Sequence, residues 1–206
     1  MDDPTYRACN PLGRPPVRLL IVPGLHDSEP GHWQSWLQAL HRHAVRIRQT
    51  HWHEPDLDGW AGSIATTLQR AGPGPWIAVA HSFGVLGLVH HLAQQPDSPL
   101  RAALLVAPAN PDRFGLGPRL PRHPLPIVST TVLSETDPWM PSAIGTQWAE
   151  RWGSHIVNLG DVGHVNVAAG FGSFPFARRW VAAVGQRLER ERAPDRGALA
   201  EWAYAV

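Results

Sequence analysis

The sequence predicts a doubly wound α/β fold, a mostly parallel sheet covered by helices on both faces, on three observations. Short apolar runs that stop at turn residues recur along the chain. Where Val17-Arg18-Leu19-Leu20-Ile21-Val22 meets Pro23-Gly24, the pattern is that of a strand buried on both faces. Between such runs, apolar residues return every three or four positions, the period of an amphipathic helix. A chain of 206 residues, 43% hydrophobic and 17% charged, can bury a sizeable core and lies far from disordered compositions. Strands alternating with helices imply right-handed crossovers, and hence parallel neighbours.

Residues 1–16, rich in proline and polar groups, read as a flexible lead-in, and one domain is expected over 17–206. Residues 17–22 are its first strand. From Gly31 onward Trp33, Trp36, Leu37 and Leu40 fall at helical spacing, and residues 45–48 then alternate like an edge strand. Leu57, Trp60, Ile64 and Leu68 mark a second helix, with Asp56 or Asp58 as N-cap and Gly72-Pro73-Gly74-Pro75 as its stop. A buried strand over 76–80, a helix over 83–95 and a strand over 101–107 follow. The loop 108–126 is the main irregular insertion, too short for an independent lid domain. A strand over 127–133, a helix near 142–152, a strand over 156–159 and a long helix from about Phe174 complete the chain. Such sheets bind ligands beyond the carboxyl ends of their strands, so the chemistry is expected in the loops that follow strands.

Composition narrows the function. Eighteen basic and 17 acidic residues are scattered to a net charge of +1, which offers no electrostatic ground for nucleic acid or a membrane surface as partner. The Arg-rich stretch 187–196 is interleaved by Glu189 and Glu191 and reads as a solvated helix face. Cys9 is the only cysteine, so no internal disulfide, thiolate cluster or redox pair can form. No segment has the apolar core of a signal peptide or approaches the roughly 20 residues of a membrane span, and a cytoplasmic location is expected. Among twelve histidines, the pairs His41/His43 and His51/His53, with Glu54 nearby, do not supply the three or more ligands from distinct loops that a hydrolytic metal needs. No metal and no cofactor are expected.

What remains is nucleophilic catalysis. A serine hydroxyl is a poor nucleophile at neutral pH and needs a base within hydrogen-bond reach, held in turn by an acid. Ser82 lies in Ala80-His81-Ser82-Phe83-Gly84, after a strand and before a helix, the context in which a small-x-Ser-x-Gly turn exposes its hydroxyl. Ala80 stands where glycine is more common and adds one methyl group; a serine here could otherwise simply cap the helix. Asp137, just past the strand 127–133, is the candidate acid, with Glu135 as rival and Asp161 as a second group able to orient the base. His164, in Gly163-His164-Val165-Asn166 past the next strand, is the candidate base. The order Ser, Asp, His is that of α/β-hydrolases. An oxyanion needs two preorganised donors; the Phe83 N–H is the first, and the loop after the first strand offers Leu25 as the second, with His26 as its neighbouring alternative. His26 and Trp139 are candidates to line the pocket.

The carriers Pro23-Gly24-Leu25, Gly31-His32-Trp33-Gln34-Ser35-Trp36, Ala80 to Gly84, Ser134-Glu135-Thr136-Asp137-Pro138, and Gly163 to Asn166 with Gly170-Phe171-Gly172 give the chain a resemblance. It resembles the small serine hydrolases grouped with retinoblastoma-binding protein 9 and the bacterial YdeN-like predicted esterases. The resemblance implies a minimal α/β-hydrolase with a six-stranded sheet and no large cap, and a triad on Ser82, Asp137 and His164. It departs at His26-Asp27, where bacterial relatives tend to carry Gly or Asn. The expected function is cleavage of small or short-acyl carboxylic esters through an acyl-enzyme, by a monomer or small homo-oligomer. The alternatives are a weakly active or non-catalytic binding protein on this fold, or a thioesterase or amidase using the same residues.

Overall fold

The computed structural model describes residues 15–192. Along it run β1 (Arg18–Val22), α1 (Trp33–Leu40), β2 (Ala44–Arg46), α2 (Leu57–Ala71), β3 (Trp76–Ser82), α3 (Phe83–Gln94), β4 (Leu100–Pro108), β5 (Val128–Leu133), α4 (Ser142–Arg151), β6 (His155–Asn158) and α5 (Pro175–Arg192). Except for Pro15 and Pro16, the expected lead-in lies outside the described residues, as do Cys9 and the expected domain's end, 193–206.

All six strands pair parallel, in the order β2-β1-β3-β4-β5-β6. Each strand alternates its side chains between two apolar layers, as the two-residue period requires. Leu20, Val22, Ala78, Ala80, Ala103 and Leu105 face α2, α3 and α4, which contribute Trp60, Ile64, Leu86 and Trp148, with Trp152 just past the end of α4. Leu19, Ile21, Ile77, Val79, Leu104 and Val106 face α1 and α5, which contribute Trp33, Leu37, Ala177 and Val181. The sheet is therefore covered on both sides, as expected. Ala80 sits in ordinary strand pairing opposite Val22 and Leu105, fully buried, so its extra methyl is part of the core rather than a strain on the turn.

Strand order reverses between β1 and β3, which leave the sheet's carboxyl edge on diverging connections; there a crevice opens. Both edge strands are short and carry polar side chains, Arg46 on β2 and His155 and Asn158 on β6, which discourages edge-to-edge pairing. The strand expected over 45–48 is shifted to Ala44–Arg46, because Ile47, although it still donates to the Ile21 carbonyl, turns its side chain into the core. Asp56 occupies the N-cap position of α2 without a side-chain cap bond. Asp58 instead accepts from Arg119 and pairs with His90. The insertion 108–126 holds two short 3-10 turns, Pro111–Phe114 and Gly117–Arg119, and is pinned to α4 by the Leu125 N–H to Trp152 carbonyl bond and the Trp152 indole to Pro121 carbonyl bond. No described helix is long and apolar enough to cross a membrane.

Candidate active site

Where β3 gives way to α3, the chain must reverse within one residue. Ser82 takes that residue at φ 53°, ψ −125°, a sparsely populated conformation for a residue with a Cβ. It holds the N-cap position of α3 yet makes no cap bond, so the simple capping role is absent. Its hydroxyl instead lies 2.8 Å from His164 Nε2. The turn is affordable because its neighbours are small. A Cβ on Gly24 would fall 2.8 Å from Ser82 Cβ, and one on Gly84 would collide with the Val22 and Pro23 carbonyl oxygens.

His164 follows β6 on a loop whose flanking residues, Gly163 (φ 58°) and Val165 (φ 49°), both have left-handed backbone. Such conformation in a β-branched residue persists only where the surroundings hold it. They do so through two bonds. The Trp33 indole donates to the Val165 carbonyl at 2.9 Å, and His81 Nε2 donates to the His164 carbonyl at 2.9 Å. On the other side of the ring, Asp137 carboxylate oxygens lie 2.8 and 2.9 Å from His164 Nδ1. Asp137 Oδ1 also accepts from the Trp139 N–H at 2.8 Å, which fixes the carboxylate. An acceptor at Nδ1 assigns the proton there and leaves Nε2 to accept from the Ser82 hydroxyl. Of the two rivals, Glu135 accepts from Asn158 and Asp161 from Thr136, both on the surface.

The loop after β1 carries His26 (φ 69°) and Asp27 (φ 62°) in the left-handed region, which explains why Gly or Asn would suit these positions. Here the strain is offset by bonds. The His26 N–H donates to the Trp52 carbonyl at 2.9 Å, His26 Nδ1 lies 2.6 Å from His53 Nδ1, and Asp27 pairs with Arg46 at 2.9 Å. Arg46 further donates to the Ser28 carbonyl, Ser35 and Gln38. Since the His26 N–H is already engaged, it is not available to an oxyanion. The Leu25 N–H has no partner among the described residues, and the Phe83 N–H, first in α3, has no intrahelical acceptor.

Sequence reasoning missed the supports. Gln34, fully buried, donates to the Val22 and Val79 carbonyls and accepts from Ser28, stapling β1 to β3 beside the turn. Its signal was present: His32 to Trp36 stood out as a motif without an assigned chemistry. His32 itself caps α1, its Nδ1 accepting from the Gln34 N–H.

These elements enclose a cavity of about 390 Å³, bordered by Ser82, His164, Leu25, His26, Phe83 and Trp139 among others. The structure thus brings Ser82, His164, Leu25, His26, Phe83 and Trp139 to one cavity, with Asp137 behind His164. His41 and His43 lie elsewhere, and no group of three or more His, Cys, Asp or Glu among the described residues is arranged to hold a metal.

Buried imidazoles close to His164 are held neutral. Burial, then Arg46 and His164, push the His32 pKa down to about 4, and burial with His164 and His32 pushes His81 well below its ordinary value. Burial also lowers His91, on α3, to about 4. A histidine whose folded pKa lies below its unfolded value of about 6.5 binds fewer protons when folded, so stability is full above that pH and is lost as pH falls toward 4. For His32 and His91 the loss is at most roughly 3 kcal/mol each. The urea unfolding midpoint is accordingly expected to drop between pH 6.5 and 5, above the range where most carboxylates titrate; a level midpoint across that window would contradict it.

A strand-turn-helix serine, a sheet of order 2-1-3-4-5-6 and a carboxyl-edge cavity define an α/β-hydrolase. The family described as serine hydrolase matches residues 19–183, and the chain belongs to it. It is similar to a YdeN-like hydrolase from Pectobacterium atrosepticum, with 36% identity over 84% of this chain and 92% of that one, at a TM-score of 0.79. The ydeN product of B. subtilis shares 19% identity over 81% and 97% of the two chains (TM-score 0.67). Mouse alpha/beta hydrolase domain-containing protein 10 shares 13% over 84% and 89% (TM-score 0.59). These last two likenesses concern the fold alone. Comparison with curated proteins gives no match.

Proposed function

We propose that the protein is a carboxylesterase that cleaves small or short-acyl esters through Ser82, His164 and Asp137. The observation that carries this reading is the continuous hydrogen-bond chain from Asp137 through His164 to Ser82, with links of 2.8 to 2.9 Å, ending at a cavity. Ser82 Oγ attacks the ester carbonyl carbon while its proton passes to His164 Nε2. Asp137 holds the imidazole in its tautomer and stabilises the imidazolium. The carbonyl oxygen, now anionic, is received by the Leu25 and Phe83 N–H groups, which follow Gly24 and Ser82 where those two residues approach closely, and which have no acceptor among the described residues. As the ester C–O bond breaks, His164 returns its proton to the departing alcohol. Water, deprotonated by the freed imidazole, then attacks the acyl-Ser82 carbonyl; the acid leaves and Ser82 regains its proton. Ester and water become acid and alcohol, and the three side chains supply nucleophile, base and orienting group without a cofactor.

The modest cavity, bordered by aromatic side chains, favours small ester groups. A fluorophosphonate probe is expected to add to the wild-type protein at one site and to spare Ser82→Ala. Across p-nitrophenyl esters from acetate to octanoate, kcat/KM is expected to be greatest at the short end. Equal labelling of both proteins would overturn the assignment of the nucleophile, and turnover no greater than that of Ser82→Ala would overturn the esterase.

A further inference from the structure

The cavity has two chemically different sides about Ser82. On the β1 side stand His26, Asp27 and the exposed Glu29, with Asp27 already paired to Arg46. On the β4–β5 side the lining includes Asn110 and Arg113, from the loop after β4, and Trp139, from the loop after β5. The strand order keeps these two groups on opposite flanks of β3 and its serine.

On the β4–β5 side the side-chain donors of Arg113 and Asn110 have no acceptor among the described residues. The guanidinium of Arg113 stacks 5.0 Å from the Trp139 ring centroid, and no carboxylate pairs with it among the described residues. Arg46, on β2, and Arg119, in the second 3-10 turn of the same insertion, each spend their charge on an aspartate. Asp112, next along the turn, keeps its carboxylate over Gly117 and does not line the cavity. Asn110, nine-tenths buried, has its carboxamide orientation set, because Oδ1 accepts from the Asp112 N–H at 3.0 Å. Its NH2 group is then left for the cavity, with no acceptor among the described residues. A planar fork of donors stacked on an indole, beside a second fixed donor, is the arrangement that receives a carboxylate.

We propose that Asn110, Arg113 and Trp139 form a carboxylate-binding subsite, so that the favoured substrates of this site are esters carrying a carboxylate on the β4–β5 side. The proposal rests on the esterase reading for turnover, though not for binding. Trp139 adds a ring face for the carbon skeleton that carries the anion.

Two matched ester pairs test it: mono-4-nitrophenyl adipate against its methyl ester, with the anion on the acyl part, and 4-acetoxybenzoate against its methyl ester, with the anion on the alcohol part. In at least one pair, kcat/KM is expected to favour the anion by about tenfold, chiefly through KM, since one charge-assisted contact is worth about that factor. Arg113→Gln is expected to bring the ratio close to one and Arg113→Lys to keep part of it. A ratio near one in both wild-type pairs, or a ratio unchanged in Arg113→Gln, overturns the subsite. Binding of the same four compounds to Ser82→Ala by calorimetry separates the two readings. Anion preference there, lost on adding Arg113→Gln, sustains the subsite even if no ester is turned over. Equal binding of acid and methyl ester overturns it even if the esterase stands.

Discussion

Ser82→Ala is expected to lower kcat on p-nitrophenyl acetate by about 10⁵-fold or more, to the rate that bound substrate and oxyanion donors can support alone. The size follows from the geometry. Among the described residues the Ser82 hydroxyl is the one group bonded to His164 Nε2, at 2.8 Å, with no second partner to take its place. Asp137→Asn isolates the orienting role, because an amide can offer its NH2 to His164 Nδ1 and so favour the wrong tautomer, with the proton on Nε2. The Ser82 hydroxyl then has no acceptor, and kcat is expected to fall about 10⁴-fold with KM little changed. Because the residues act as a unit, the double variant Ser82→Ala/Asp137→Asn is expected to be no slower than Ser82→Ala. Additive losses in steady-state kinetics would show that Asp137 serves another purpose. A merely modest loss in Asp137→Asn would hand the orienting role to another group, and Glu135 and Asp161 are committed to Asn158 and Thr136.

The parts of this protein that could be read from sequence share one physical property: each is governed by local pattern. The strands β1, β3, β4 and β5 are continuous apolar runs, since both faces are buried, and they appear where the runs are. Edge strands obey a weaker rule, because one side faces solvent. β2 and β6 are half-buried; β6 is displaced by one residue from its expected position, and β2 starts one residue and ends two residues early. The site divides in the same way. Ser82 ends a strand and Asp137 and His164 each follow one, so position alone singled them out. As the second donor the sequence favours Leu25 but leaves His26 open, because the choice depends on the Trp52 carbonyl, 26 residues beyond His26 along the chain, which occupies the His26 N–H. Gln34, Arg46 and His81 act through backbone carbonyls and loops remote in sequence. Arg113 looked like any surface arginine until Trp139 came to lie under it.

The departure at His26-Asp27 follows the same logic. Positive φ at two successive non-glycine residues is tolerated where His53 and Arg46 supply partners, and each partner lies on a separate segment. A pair that looks unfavourable in isolation is thus supported by residues that local reading does not connect to it.

The second large effect concerns folding. Gly84→Ala is expected to destabilise the protein by about 3–5 kcal/mol, at the upper end of overpacking, because the obstacle is backbone on both sides. The new methyl group would collide with the carbonyl oxygens of Val22 and Pro23 at the end of β1, and these cannot retreat by changing a rotamer. β1 is held on one flank by β3 through paired residues up to Val22 with Ala80, and on the other by β2. The Trp60 indole fixes the Pro23 carbonyl at 2.9 Å, and Gln34 the Val22 carbonyl at 3.2 Å. To make room, α3 would have to lift away from the turn that carries Ser82, so activity should fall along with stability. Thermal unfolding is expected to shift down by roughly 10–15 °C, given about 2–4 °C per kcal/mol for a chain of this size. Gly62→Ala is the matched control. Gly62 is an exposed residue of α2 with nothing within 4 Å of an added Cβ, so there the gain in helix propensity, about 0.5–1 kcal/mol, goes unopposed. Opposite signs for the same chemical change would show that the close approach of β1 and α3, and not a general need for glycine in helices, holds the turn at Ser82. A Gly84→Ala protein as stable as the wild type would show that β1 can yield, and that the turn around Ser82 is less constrained than its contacts imply.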